Sequence, residues 1–506
     1  MRKAGFLLVL ALLALGVMGA YAQTKSVSIA CWDTWYSPVG YNSNPPVWQE
    51  VQKRTGIKIT FNVFDDYDTK IQTVIASGAN LPDIFIVPPT WSGPIGVYRL
   101  ALEKVIIPLD DLIASPDAVH IRQLLAQRTD YKKLLTAPDG HIYTIPDLPL
   151  TGIAQQFLIR DDWLKKLGLA RPETADQWYA VLKAFKDRDP NGNGQADEVP
   201  WSFTAGNVGN IFMTAFGMTP QDYVADANGV VTAQFVSDAY KSYLTYLNKL
   251  YSENLMDREQ RDESGLQALE AQNRVGMIAE WTDIYLRFEN MVKSGGVANA
   301  SVVALPPAHL AGQKQGYYVD RSPFWNHYAI SASSKNAQAA IKLMDYLWAD
   351  PDGLRLKEFG IQGKSFTMVS GQPAYTDFVL SNPDKLAPMD AVRSLGGSPS
   401  IFVHDLKEAY IAKAVDNPKL VQFFNDLPKY LVQPFPEVIP LEQESKDLTR
   451  ILADLNTYRT EMMGKFINGQ EPLSNYSQYV TTLKGMGLDQ VVKIKQAQYD
   501  RYSGKK

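Results

Sequence analysis

Residues that cross-link chains or bind soft metals are scarce in this sequence, which has one cysteine and five histidines among 506 residues. The single cysteine, Cys31, cannot form a disulfide within the chain. It also lies well past the apolar N-terminal stretch, which makes it a poor candidate for lipid attachment at a signal cleavage site. So few Cys and His side chains argue against a zinc or iron–sulfur site.

Long runs of one charge are also absent. The chain has 50 Lys and Arg residues against 54 Asp and Glu residues, for a formal net charge of −4, and no basic run is longer than the Lys505-Lys506 tail. Proteins that bind nucleic acid or anionic membranes carry extended basic patches. The composition therefore predicts that the partner is neither of these.

Only the N-terminus is strongly apolar, and residues 1–22 have the pattern of a signal peptide. Arg2 and Lys3 precede an apolar stretch at 6–18, and residues 20–22 (Ala-Tyr-Ala) give the small-x-small pattern of a cleavage site. An uncleaved membrane anchor is the less favoured alternative, because the stretch is shorter than the roughly 20 residues that span a bilayer. We therefore predict export and a periplasmic location.

The hydrophobic pattern indicates two α/β units, which suits a chain too long for one core. Alternation at 57–63 predicts a half-buried strand, and the apolar run at 84–87 predicts a buried one, with a helix at about 67–76 between them. The pattern resumes with a strand at 157–159 and a helix at 163–167. Strands alternating with helices predict mostly parallel sheets.

These units define the expected domains. We predict that lobe 1 comprises residues 23–150 and about 325–375. Lobe 2 comprises residues 151–324 and about 376–506, the latter as a helix-rich C-terminal extension. The chain then crosses between the lobes near the end of each first segment, and such crossings can serve as hinges.

The sharpest local motif spans residues 189–198 and resembles an EF-hand calcium loop. Oxygen-bearing side chains fall at loop positions that wrap around one hard cation, and Gly194 at position six permits the sharp turn. Position twelve is Pro200 rather than Glu, so the last two acidic residues must close the site. A polar Asn-Gly turn without metal is the alternative. The predicted ligands are Asp189, Asn191, Asn193, Asp197, Glu198 and the backbone carbonyl of Gln195.

Signatures of hydrolytic enzymes are absent. The nucleophile pattern G-x-S-x-G does not occur, and the acidic pairs at 65–66, 110–111 and 161–162 have no feature that separates a catalytic acid from a solvated charge. Residues 360–365 end like a phosphate-binding loop, but two residues instead of four separate the glycines. We predict no catalytic residue and no enzymatic activity.

Aromatic side chains beside polar ones are the candidate ligand contacts. An aromatic face packs on the C–H groups of a pyranose ring while a neighbouring carboxylate accepts hydrogen bonds from hydroxyls. Burial in a core is the alternative for each of these tryptophans. The candidates are Trp32, Asp33, Trp35, Trp91, Trp201, Trp281, Asp283 and Trp325, whereas Trp48, Trp163, Trp178 and Trp348 are predicted core residues.

With these residues in view, the chain resembles bacterial extracellular solute-binding proteins of ATP-driven importers. It is similar to the large sugar-binding branch that includes lipo-oligosaccharide and alginate-oligosaccharide binders. The resemblance extends from the signal peptide nearly to the C-terminus. Its marks are the segments 81–84, 160–168, 189–198, 358–367 and 499–502.

The resemblance implies a two-lobed α/β periplasmic binding protein fold of type II, with a hinge and a ligand cleft between the lobes. It implies a monomer that captures a sugar, expected to be an oligosaccharide, and delivers it to ABC transporter permeases. Structural Ca²⁺ in the 189–198 loop is implied as well. A secreted carbohydrate-active enzyme and a ligand-sensing partner of a membrane receptor are the alternatives.

Overall fold

The computed structural model describes residues 25–34, 37–78, 81–88, 93–147, 156–204, 212–259, 261–280, 284–320, 326–381, 386, 388–403, 406–413 and 417–504. Strands and helices are numbered along the chain. The first are β1 (Lys25–Cys31), α1 (Pro46–Thr55), β2 (Ile57–Val63), α2 (Tyr67–Ser77), β3 (Ile84–Ile86), α3 (Pro94–Leu102), α4 (Asp110–Ala114), α5 (Val119–Gln127), α6 (Thr129–Leu135) and β4 (Thr144–Pro146).

The middle of the chain contains β5 (Gln156–Arg160), α7 (Asp161–Leu167), α8 (Ala175–Asp187), β6 (Val199–Ser202), β7 (Tyr223–Ala225), β8 (Val231–Ala233), α9 (Asp238–Ser252), α10 (Glu263–Ala271), β9 (Val275–Glu280), α11 (Ile284–Ser294), β10 (Val302–Leu305) and β11 (Tyr318–Val319). Short 3₁₀ helices lie at Tyr41–Ser43, Met213–Phe216, Gln234–Val236, Leu427–Tyr430 and Leu473–Asn475.

The last part contains β12 (His327–Ile330), α12 (Ala337–Trp348), α13 (Pro351–Phe359), β13 (Phe366–Val369), β14 (Gln372–Tyr375), α14 (Asp377–Leu380), α15 (Pro388–Arg393), α16 (Lys407–Lys413), α17 (Pro418–Asp426), β15 (Leu431–Val432), α18 (Glu442–Asn468), α19 (Tyr476–Gly485) and α20 (Leu488–Ser503). The strands predicted at 57–63, 84–87 and 157–159 are confirmed as β2, β3 and β5.

The first lobe is built on a sheet in the order β2-β1-β3-β12-β4. β1 pairs in parallel with β2 and β3, whereas β12 is antiparallel to β3 and β4. In β2, Ile57 and Ile59 are buried while the alternating Lys58 and Thr60 are exposed. β3 is buried throughout, since helices cover both faces of a central strand.

The second lobe is built on a sheet in the order β10-β5-β9-β6. β5 is antiparallel to both of its neighbours, and β6 is parallel to β9. Each sheet is therefore mixed: one strand, β12 or β5, runs against the others, which all point the same way, as the prediction of mostly parallel sheets expects. The reason lies in connectivity: β5 and β12 each follow a crossing between the lobes, so each enters its sheet at the edge where the neighbouring strands end.

Two main cores correspond to the two lobes. One surrounds the first sheet, and the other packs the second sheet against α8, α9 and the C-terminal helices α18, α19 and α20. A third cluster covers the opposite face of the second sheet and includes Leu420 and Phe424 of α17. The C-terminal helices α18, α19 and α20 therefore pack in the same core as the second sheet.

Some residues after 376, which the prediction assigns to the second lobe, pack outside the core of the second sheet. Ile401, Phe402 and Ile439 pack in the core of the first lobe. Val379 and Val392 pack against α13 and the β13–β14 hairpin, which follow directly from the first lobe. The chain thus returns between the cores several times, because apolar side chains in this region find partners on both sides.

No described helix combines the length and apolar character needed to cross a bilayer. Even α18, with 27 residues, carries acidic and basic side chains along its whole length.

Candidate functional site

The carboxyl ends of the strands place a set of polar side chains at one edge of each sheet. In the first lobe, β1, β3 and β4 end where β12 begins. In the second lobe, β6, β9 and β10 end where β5 begins. Ligands of open α/β sheets bind outside such edges. Residues 148–155 join β4 to β5, so the two edges lie within roughly 30 Å of each other.

At the first edge, Trp32 and Asp33 directly follow β1. Trp32 is half-buried and contacts Tyr67 edge-on, with ring centroids 5.3 Å apart. The Asp33 carboxylate accepts hydrogen bonds from the backbone N–H groups of Thr34 at 2.8 Å and Tyr41 at 3.1 Å. Two backbone donors hold this carboxylate in place, and both candidates keep part of their surface open to solvent.

Asp147 directly follows β4 and is 3% exposed. Its carboxylate accepts hydrogen bonds from Asn326 Nδ2 at 2.6 Å, the Tyr328 hydroxyl at 2.8 Å and the Val403 N–H at 2.9 Å. Asp147 is not among the residues predicted from the sequence. The signal in the sequence that could have identified it is an acidic residue directly after a buried strand. A buried carboxylate at such a position needs several hydrogen-bond donors around it.

The second edge has its own buried polar cluster. Glu280 ends β9, is 3% exposed and accepts a hydrogen bond from Thr204 Oγ1 at 2.9 Å. Glu270 of α10 is fully buried and forms an ion pair with Arg287 of α11 at 3.0 Å. Burial raises the pKa of Glu270, and the charge of Glu280 acts in the same direction. Sequence reasoning missed these three charged residues too.

The predicted ligand contacts have three outcomes. Trp32 and Asp33 lie at the first edge, as described above. Trp201 is fully buried and packs against Phe203 and Phe212, so it is a core residue and is no longer a ligand candidate. Trp35, Trp91, Trp281, Asp283 and Trp325 lie outside the described residues. The predicted core residues Trp48, Trp163, Trp178 and Trp348 are confirmed as buried.

The loop at 189–198 follows α8, whose N-terminus is fixed by a capping box of Thr174 and Gln177. Asp189 adopts a left-handed conformation, with φ of 44°. Its carboxylate accepts hydrogen bonds from the N–H groups of Gly192 at 2.8 Å, Asn193 at 3.1 Å and Gly194 at 3.0 Å. The loop therefore wraps around the side chain at its first position.

The other acidic residues of the loop converge on the same space. Asp197 Oδ1 accepts hydrogen bonds from Asn191 Nδ2 at 3.0 Å and Asn193 Nδ2 at 3.1 Å. Both carboxylate oxygens of Glu198 are buried without a well-formed hydrogen bond. Burial raises the pKa of Glu198, and the charges of Asp189 and Asp197 raise it further. A bound cation can neutralise the charge of a buried carboxylate that has no well-formed hydrogen bond.

In the described part of the chain, no three side chains of His, Cys, Asp or Glu are arranged so that they could hold a metal ion. The three carboxylates predicted as ligands, those of Asp189, Asp197 and Glu198, therefore do not form such a group in this structure. Amide and backbone oxygens make up the other half of the predicted set. The Glu198 carboxylate, which is buried and has no well-formed hydrogen bond, is a suitable ligand for a cation.

The fold and its strand-end edges define a two-lobed solute-binding architecture, as predicted. Residues 37–351 match the family described as bacterial extracellular solute-binding protein. The chain belongs to this family.

Two relatives illustrate the similarity. The chain is 28% identical over 493 residues to the fructooligosaccharide ABC transporter substrate-binding protein FusA of Streptococcus pneumoniae, a match that covers 91% of this chain and 87% of FusA. A structure of an S. pneumoniae FusA EF-hand mutant in complex with fructo-nystose has a TM-score of 0.77 at 25% identity, covering 95% of this chain and 100% of that one.

The alginate-binding protein AlgQ2, in a structure without calcium ion, has the same fold. Its TM-score is 0.78 at 24% identity, covering 94% of this chain and 98% of that one.

Proposed function

We propose that this protein is the substrate-binding component of an ABC importer, which captures an extracytoplasmic oligosaccharide and delivers it to membrane permeases. The observation that carries the proposal is the match to FusA, a fructooligosaccharide binder, over nearly the whole length of both chains. Polar side chains at the strand ends of both sheets, with Trp32 beside them at the first, support it, because sugars bind through polar and aromatic groups.

The proposed mechanism is closure of the two lobes around the sugar. A ligand that contacts both strand-end edges binds the closed state more tightly than the open one, and this difference drives closure. Trp32 and Asp33 contribute from the first lobe. In the second lobe, Trp281 and Asp283 stay predicted contacts, since both lie within three residues after Glu280 in the sequence.

Calorimetry with kestose, nystose and an oligogalacturonide tests the function, and small-angle scattering at saturation tests closure. We expect one of these sugars to bind and to reduce the radius of gyration. Release of shorter sugars from the bound ligand would favour the enzyme alternative. Failure to bind any sugar would reject the proposal. Pull-down of a chemoreceptor in place of permeases would favour a sensor.

We propose further that the 189–198 loop holds a structural Ca²⁺ ion through Asp189, Asn191, Asn193, Gln195, Asp197 and Glu198. The support is three acidic side chains in one short loop, of which Glu198 has no well-formed hydrogen bond and lies near the charges of Asp189 and Asp197. The relative FusA has a structure described as an EF-hand mutant. Bound Ca²⁺ would neutralise the loop charge. Asn191 and Asn193 now point their amide nitrogens at Asp197, so both amides must turn to present their oxygens.

For location, we propose export to the periplasm through cleavage of the signal peptide at residues 1–22. The support is the extracellular family of the chain and the small-x-small pattern before residue 23. Mass determination of the protein secreted from its native host measures the cleavage point directly.

A further inference from the structure

A small pocket lies beside the strand-end edge of the first lobe. It has an empty volume of about 180 Å³, part of which is open to solvent. This is less than the roughly 300–1,000 Å³ of a pocket that encloses a whole small ligand, so the pocket suits a single substituent of a sugar. Its walls come from the loop after β1, the start of α1 and the turn after α15. The lining residues are Thr34, Ser37, Val39, Gly40, Tyr41, Pro45, Trp48, Gly396 and Gly397.

The pocket is joined to Asp33, a predicted sugar contact. The backbone N–H groups of Thr34 and Tyr41, which both line the pocket, donate to Oδ1 of the Asp33 carboxylate at 2.8 Å and 3.1 Å. The other oxygen, Oδ2, lies against Gly40 of the pocket wall, where an added Cβ would overlap it. Among the described residues no group donates a hydrogen bond to Oδ2, so it is an available acceptor beside the pocket.

Trp48 brings a hydrogen-bond donor to the same pocket. Its ring is fully buried, and its indole N–H has no partner among the described residues. A Cβ added at Gly396 would lie 3.2 Å from Trp48 Cδ1, the carbon bonded to Nε1, so this edge of the indole faces the Gly396 wall. The same Cβ would overlap Pro45, and the φ of 82° at Gly396 also favours glycine. Glycine therefore keeps the space beside the indole N–H open.

An available acceptor and a buried donor together select for hydroxyl groups. A hydroxyl donates one hydrogen bond and accepts others, so it can satisfy both kinds of partner. A carboxylate only accepts, and the charge of Asp33 would repel it. Among the described residues that line the pocket none is Lys, Arg or His, so no cation compensates a carboxylate for its loss of water there.

We propose that this pocket binds a hydroxymethyl group of a neutral sugar and excludes the carboxylate of a uronic acid from that position. Trp48 Nε1 donates to the hydroxyl, and Asp33 accepts from it or from the neighbouring hydroxyl of the same ring. The inference rests on the proposed function, since it names the substrate class of the same site. It also gives a ligand contact to Trp48, which the sequence pattern assigns to the core.

Calorimetry with a set of trisaccharides tests the discrimination. Kestose, maltotriose and cellotriose are neutral, whereas trigalacturonate carries a carboxylate where a neutral hexose has a hydroxymethyl group. We expect at least one neutral sugar to bind, and to bind at least tenfold more tightly than trigalacturonate. Equal or tighter binding of trigalacturonate would overturn the inference and leave the oligosaccharide-binding function standing. If no sugar binds, the proposed function fails and the inference fails with it.

Matched substitutions test the pocket itself. Trp48→Phe keeps an aromatic ring and removes the indole N–H. Trp178→Phe is the control, because Trp178 is also fully buried with a partnerless indole N–H but packs in the core of the second lobe. Trp48→Phe should weaken binding of the neutral sugar about tenfold, and Trp178→Phe should not. Melting temperatures verify that both variants fold, and unchanged affinity of folded Trp48→Phe would overturn the proposal.

A crystal structure of the wild-type protein with the bound sugar gives a readout that does not depend on variants. We expect a hydroxymethyl group in the pocket, with its oxygen within hydrogen-bond distance of Trp48 Nε1. A pocket that holds only ordered water while the sugar binds elsewhere would overturn the proposal, and the transport function would stand.

Discussion

Asp147 and Asn326 form hydrogen bonds with each other in both directions. Asn326 Nδ2 donates to Asp147 Oδ2 over 2.6 Å, and the Asp147 N–H donates to the Asn326 carbonyl over 2.8 Å. In chain order, β5 of the second lobe is the next strand after Asp147, and β11 of the second lobe is the last strand before Asn326. The pair therefore fastens two crossings between the lobes at one point.

A third segment joins the same point, which leads to the first prediction. The Val403 N–H also donates to Asp147, and Tyr328 donates its hydroxyl while its ring stacks on Phe402 at 4.0 Å. Asp147→Ala leaves these buried donors without a partner. We expect it to lower the free energy of unfolding by roughly 2–4 kcal/mol in urea denaturation.

The matched control for Asp147 is Asp454→Ala, which changes an exposed carboxylate on α18. It should alter stability by less than about 0.5 kcal/mol. Equal stability of the two variants would show that the Asp147 cluster contributes nothing to the fold.

Calcium should stabilise the protein through the 189–198 loop. Without a cation, the carboxylates of Asp189, Asp197 and Glu198 repel one another, and this repulsion disfavours the folded state. Adding a chelator should lower the melting temperature of the wild type, and the Glu198→Gln variant should respond less. Differential scanning fluorimetry measures both. A wild type whose melting temperature ignores both chelator and added Ca²⁺ would mean that the loop is a polar turn.

Acid should weaken a specific ion cluster in the second lobe. Burial alone would raise the pKa of Asp161, but hydrogen bonds from Lys165, Arg171 and Lys419 prevail and lower it to about 2. A lowered pKa contributes stability at pH values above the unfolded pKa, near 4, and this stability is lost as the pH falls towards 2.

The test of this cluster is Asp161→Asn, which should lower the free energy of unfolding by roughly 1–2 kcal/mol at pH 7 and by much less near pH 2. Asp187→Asn, which removes an exposed partner of Lys183, is the control and should have little effect at either pH. A loss that is the same at both pH values would contradict the ionic origin of the effect.

Trp281 of the second lobe is predicted to stack on the bound sugar, whereas Trp201 of the same lobe is a core residue. Trp281→Ala should weaken sugar binding by roughly 1–3 kcal/mol in calorimetry, in the range of lost aromatic packing. Trp201→Phe is the comparison, because this buried ring should affect stability rather than affinity. Unchanged affinity of a folded Trp281→Ala protein would remove this residue from the ligand contacts.

Much of the architecture follows from local sequence patterns. Alternation of apolar and polar residues predicts β2 at its observed bounds, and an uninterrupted apolar run predicts the buried β3. The spacing of oxygen-bearing residues predicts a tight loop at 189–198, and the backbone there does wrap around the Asp189 carboxylate. Such patterns are informative because the periods of strands, helices and tight loops depend on near neighbours in the chain.

Only the tertiary structure decided which distant residues meet. Trp201 and Trp32 are each followed directly by a polar residue. The Trp201 ring is nevertheless buried in a core, whereas the Trp32 ring lies at a strand-end edge. The buried carboxylate of Asp147 accepts hydrogen bonds from Asn326, Tyr328 and Val403. These donors are far away in the sequence, so the residues around Asp147 do not predict them. Burial and hydrogen-bond partners depend on how separate segments pack, and this information is spread over the whole chain.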